Sequence, residues 1–245
     1  MLEGNADVAA LAKRAPRLES FEAEPLALPS VEILQVTYEL GGRPPESLFP
    51  PALAPTLPVL AVLSVWRSAD SPLGPFALAQ LRLTCRSGVR PRQLLAASFA
   101  DGDRARAALN ERFAFGARPA AIRLERFYDR VDARVEADGR PLLDVRALGP
   151  LPLATGDLQF FSSMHPAETP KGLRLVQVDA DLAITRAERA SPHVSHFEPD
   201  AFGVPGAKLA YPVAAFVALG DVTLPRVRFV CRPDVNAFAG TERVG

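Results

Sequence analysis

The sequence predicts an α+β protein in which β-structure predominates, and three observations carry that expectation. The 24 prolines of the 245-residue chain are spread along its length, a distribution that favours many short strands joined by tight connections over long helices. Several segments alternate between apolar and polar residues, the period of a half-buried strand. Residues 101–113 are the clearest helix, and only a few other short stretches carry helical periodicity.

Taken in order, residues 1–25 (MLEGNADVAALAKRAPRLESFEAEP) mix charge with small apolar residues and predict a partly ordered N-terminal arm or helix. They contain no uninterrupted apolar stretch before a cleavage-like site, so a cytoplasmic location is expected. Residues 26–245 read as one domain, because strand-like segments run from Val31 to Cys231 without a clear linker. Residues 41–56 and 163–172 are Pro-rich and are expected to be connections, since proline removes a ladder donor. The apolar run LPVLAVLSVW at 57–66 is too short to span a membrane and reads as a buried strand.

Next, Leu81, Leu83 and Cys85 face one way while Gln80, Arg82 and Thr84 face the other. Residues 101–113 (DGDRARAALNERF) begin with acidic residues suited to the helix dipole, and Gly116 follows shortly after their end. Val131, Ala133 and Val135 alternate with Asp132, Arg134 and Glu136, and Asp138-Gly139 then supplies turn chemistry before a return strand from Pro141 to Val145. Val176, Val178, Ala180, Leu182 and Ile184 line one face of a further strand. Val227, Phe229 and Cys231 line another.

With 28 basic and 28 acidic side chains the charges balance, which argues against a nucleic-acid partner. Cys85 and Cys231 each end an alternating run, as core-facing positions at strand ends do. There is no Gly-rich phosphate cradle, no paired-Cys zinc pattern and no Gly-x-Ser-x-Gly elbow. His193-x-x-His196 has metal-compatible spacing only on a helix, and Pro192 with its Ser- and Pro-rich surroundings reads as a loop without a third ligand. Neither metal nor cofactor is expected.

Four stretches, in order, resemble the acetoacetate decarboxylase superfamily: FPPALAP at 49–55, SPLGPF at 71–76, ERFAFGARPAAIRLERFYDRVDARVEADGRPLLDV at 111–145, and YPVAAFVALGDVTLPRVRF at 211–229. In the third, Arg112, Phe115 and Gly116 fall on the Arg, aromatic and Gly that precede the family's Pro-Lys-Lys. The resemblance covers roughly Tyr38 to Pro233. It implies a cone-shaped antiparallel β-barrel with flanking strands and a few short helices, and a homo-oligomer. It also implies a family chemistry in which a lysine forms a Schiff base with a keto acid.

The chain departs from that chemistry at three points. The lysine pair would fall at Pro119 and Ala120, where there is no amine. The family's carboxylate is missing, since no Asp or Glu lies between Asp70 and Asp101, and Glu39 replaces the early arginine after Tyr38. The resemblance therefore implies the fold without its Schiff-base decarboxylation.

What remains is a barrel able to bind a small carbonyl- or carboxylate-bearing molecule, and to transform it by acid-base chemistry. Arg118 stands beside the lost lysines, as a guanidinium that pairs with a carboxylate or as an Arg on a solvated loop. Arg118 and Arg112 are the candidate charge stabilisers, Glu111 and His165 the candidate proton carriers, and Phe115 and Trp66 the candidate pocket aromatics. For His165 the other reading is a surface histidine, and for Trp66 it is core packing. Two further functions stay open: a structural or assembly protein with a filled barrel, and a decarboxylase using a displaced lysine, Lys171. A small-molecule ligand is expected, and a membrane is not.

Overall fold

The structure, a computed structural model, describes residues 3–42 and 45–244. The chain forms α1 (Val8–Ala12), β1 (Leu26–Gly41), β2 (Ala54–Pro55), β3 (Leu60–Ser68), β4 (Phe76–Ser87) and β5 (Arg90–Ala100). Helix α2 (Asp103–Phe113) leads into β6 (Arg118–Pro119), β7 (Ala121–Arg126), β8 (Arg130–Ala137) and β9 (Arg140–Leu153). Then come β10 (Ser163–Thr169), β11 (Gly172–Val178), β12 (Asp181–Phe197), β13 (Lys208–Leu224), β14 (Phe229–Cys231), α3 (Ala237–Gly240) and β15 (Thr241–Arg243). Of the connection expected at 41–56, residues 43 and 44 lie outside the described residues, as do Met1 and Leu2 of the arm. The remainder includes a short 3-10 turn, Pro45–Leu48, and β2.

The strands form one sheet in the order β15-β14-β11-β10-β5-β4-β3-β1-β13-β12-β9-β8-β7, with β2 on β4 and β6 on β5. Pairing is antiparallel except where β5 meets β10 and β6. Register shifts interrupt β1, β12 and β9, and such bulges bend long strands. The sheet curls until β7 packs against β3 and β4. This contact is made by side chains, with Ile122 and Leu124 of β7 buried in the same cluster as Leu63, Leu81 and Leu83.

Strand alternation divides the core in two. Leu34, Val65, Leu81 and Val145 point into the curl, and their neighbours Ile33, Trp66 and Leu78 point outward under α2 with Leu109 and Phe113. The helix buries Ala105, Leu109 and Phe113, spaced at i, i+4 and i+8 on one face. It begins at Asp103, because Asp101 instead accepts a 2.6 Å bond from the Ala77 amide. Ala114 takes the left-handed position at its end, with φ 52°. The hairpin of β8 and β9 turns on Asp138 and Gly139, both at positive φ, as expected.

Four local expectations need correction. Residues 163–169 are a strand, β10, whose ladder tolerates Pro166. Glu168 N–H, two residues on and so on the same side of the strand, bonds Pro16 O at 2.9 Å. The missing donor of Pro166 thus points away from β11, toward an edge whose pairing with β5 has ended at Met164. The alternation at 176–184 belongs to two strands, broken between Val178 and Asp181. His193 and His196 lie on β12 rather than in a loop, with His193 in register with Arg146 and His196 Nε2 2.9 Å from Pro141 O. Finally, β4 is covered on both faces: Gln80, expected to face solvent, is buried. Both cysteines are buried and free.

Candidate functional site

One edge of β5 pairs with β10 at Gln93 and Leu94 and with β6 at Phe99 and Ala100. Residues 95–98 between them have no strand partner on that edge, which leaves a window in the sheet. A cavity of about 600 Å³ occupies it. Asp7, the N-cap of α1, and Arg14, in the turn after it, wall one side and Asp200, Ala201 and residues 203–205 another, while Phe115, Arg118 and His165 line it beside β5. The N-terminal arm is held in place by buried Leu18, whose N–H bonds Glu168 O at 2.8 Å.

His165 is only 3 % exposed. Its Nε2 lies 2.7 Å from the carbonyl oxygen of Phe113, one of the C-terminal carbonyls of α2 that lack an intrahelical partner. Its ring meets Phe115 edge-on at a centroid distance of 5.5 Å. Burial, reinforced by the positive charge of Arg82, pushes the imidazole down to about 4 against the opposing bond to Phe113. At neutral pH it is therefore uncharged; Nε2–H donates to the carbonyl, and Nδ1, buried without a protein partner, keeps its lone pair. A ring in this state accepts a hydrogen bond more readily than it carries a proton.

Arg118 stands at the cavity mouth. Its Nη2 donates to the Ala201 carbonyl, and its guanidinium lies 4.3 Å over the Phe99 ring. Partial desolvation lowers its pKa. Among the described residues no carboxylate forms an ion pair with it, so its charge is available to a ligand.

The other sequence candidates lie elsewhere. Glu111 and Arg112 sit on α2, Glu111 exposed and Arg112 partly so, and neither lines the cavity. Trp66, 4 % exposed, belongs to the outer core. It borders a second, smaller cavity of about 60 Å³ together with Arg82, and Phe115 lines both cavities. Lys13, Lys171 and Lys208 are exposed and line neither; Lys171 Nζ is 3.0 Å from Glu242 Oε2. Sequence reading missed Arg82 as a site residue, because Gln-Leu-Arg-Leu reads as an ordinary polar strand face until β11 and residues 160–163 are seen to cover it.

No family model and no curated protein matches this chain. Among solved structures, acetoacetate decarboxylase from Legionella pneumophila superposes with a TM-score of 0.72 at 16% identity, over 92% of this chain and 97% of that one. The enduracididine biosynthesis enzyme MppR complexed with pyruvate gives 0.68 at 18% identity, over 84% and 90%. An acetoacetate decarboxylase-like enzyme from Sphingomonas wittichii RW1 gives 0.64 at 16% identity, over 85% and 94%. The curled sheet, the helix packed on its outer face and these superpositions together give the chain the acetoacetate decarboxylase-like fold.

Proposed function

We propose that this protein binds a small carboxylate- or carbonyl-bearing molecule in the cavity at the β5 window, without forming a Schiff base. The observation that carries the reading is an unpaired guanidinium, Arg118, on a cavity of about 600 Å³ that no lysine lines. Arg118 receives the carboxylate or polarises the carbonyl. His165 Nδ1 accepts a hydrogen bond from a hydroxyl or enol of the ligand. With its pKa near 4 the imidazole is a weak base at neutral pH, so any turnover rests on electrostatic stabilisation by Arg118 more than on proton transfer by His165.

Pyruvate, found with a structural neighbour, is the probe. Calorimetry should give saturable binding to the wild-type protein, and borohydride treatment of the mixture should leave its mass unchanged. A stable adduct trapped by borohydride would return the chain to imine chemistry.

A second reading, a structural protein with a filled barrel, is favoured by one observation: Leu34, Leu63, Leu81 and Val135 fill the inside of the curl at full burial. Absence of binding by pyruvate and by other short keto acids, with no co-purifying small molecule, would select it.

A further inference from the structure

Arg82 projects from the middle of β4 into the outer core, half-buried as a residue but with its Nε fully enclosed. Its Nη2 donates to Gln80 Oε1, its guanidinium lies 5.7 Å from the Trp66 ring centroid, and its Nε is buried without an acceptor. Among the described residues no carboxylate forms an ion pair with it. Two other arginines have a similarly unpartnered Nε, and each has an acid to balance it. Arg174 Nη2 is 3.1 Å from Glu242, and Arg92 feels Asp179. Arg82 is the exception.

A guanidinium cannot escape burial by losing its proton at neutral pH; even here burial lowers it only to about 10. A largely desolvated charge without a counter-charge is unfavourable, so native proteins pair such groups. Arg82 lines the small cavity of about 60 Å³, whose walls include Trp66, Phe160 and Phe161, and where Ser162 and Ser163 provide hydroxyl groups. The aromatic walls limit hydration of the cation, and the volume admits only one or two water-sized groups. His165, adjacent and held neutral, adds no competing positive charge.

We propose that the Arg82 cavity is a second binding site, for a small monovalent anion, either a halide or a short carboxylate such as formate. The anion supplies the counter-charge that the chain omits and an acceptor for the buried Nε. This site is distinct from the window cavity, with Phe115 forming part of the wall of each.

The protein carries its own reporter, since Trp66 is the single tryptophan. Wild-type protein is titrated with sodium chloride and, separately, sodium formate at constant ionic strength set by gluconate, which is too large for the cavity. A saturable change in Trp66 emission is expected with at least one of them; chloride alone identifies a halide site and formate alone a carboxylate site. The change should vanish in Arg82→Met and persist in Arg118→Met. No saturation with either ion, or the same saturable change in Arg82→Met, overturns the proposal. If Arg82→Met fails to fold, wild-type crystals grown in bromide and in formate decide the matter. An ion against the Arg82 guanidinium in either supports the site, and a cavity holding water alone in both overturns it.

Discussion

His165 Nε2 lies 2.7 Å from the carbonyl oxygen of Phe113, tying the middle of β10 to the end of α2. The bond fixes the imidazole tautomer and closes one wall of the window cavity. Burial of the ring, which outweighs this bond, makes stability depend on pH. The folded pKa, about 4, is below the ordinary value of 6.5, so between these values the unfolded chain binds the proton and the folded one does not. The contribution is fully present above pH 6.5 and is lost as pH falls toward 4. Its size follows from the gap and is on the order of 3 kcal/mol. Denaturant unfolding at pH 7.5 and 4.5 should show a larger loss for wild type than for His165→Gln, by roughly that amount.

Arg118→Met should weaken pyruvate binding about tenfold or more, the worth of one charge-assisted hydrogen bond. Its position at the cavity mouth means that thermal stability should change little. Calorimetry on the folded variant checks both, and unchanged affinity would remove Arg118 from the site.

Two glycines separate backbone strain from steric conflict. Gly139 has φ +71° and nothing within 4 Å of an added Cβ, so Gly139→Ala should cost only the left-handed conformation, about 1 kcal/mol. At Gly220 an added Cβ would lie 2.4 Å from Ala183 O and 2.7 Å from Ile184 Cα, next to the bulge where β12 pairs β13. Gly220→Ala should therefore cost more, roughly 3 kcal/mol. Unfolding midpoints of the two variants give the order directly.

Burial pushes the Cys85 thiol up to about 12 and raises that of Cys231. Thiolate is the reactive species, so an aromatic disulfide reagent at pH 8 should leave native protein unlabelled. The same reagent should label both cysteines once the chain is denatured. Rapid labelling of the native protein would contradict the packing around β4 and β14.

Much of the scaffold was legible because its signals are local. The hairpin around Asp138-Gly139 follows from alternation flanking two residues that accept positive φ, and α2 follows from its composition and the break after it. Sequence failed where the answer depends on a neighbour. Pro166 marks a connection by propensity, yet it sits in β10 because its missing donor faces an unpaired edge. His193 and His196 follow Pro192 as a loop would, but β9 pairs with them and extends β12.

The sequence by itself determined strand-rich architecture, since this depends on residue type and period, and its motifs in order pointed to the acetoacetate decarboxylase-like fold. Only the tertiary structure decided which polar groups matter. Exposure and charge balance are properties of assembled surfaces: Arg82 is an ordinary strand arginine until residues 160–163 and β11 cover it without supplying an acid. His165 is an ordinary loop histidine until α2 delivers the Phe113 carbonyl to its ring, and Arg118 faces a cavity only because residues 95–98 are left without a partner on one edge of β5.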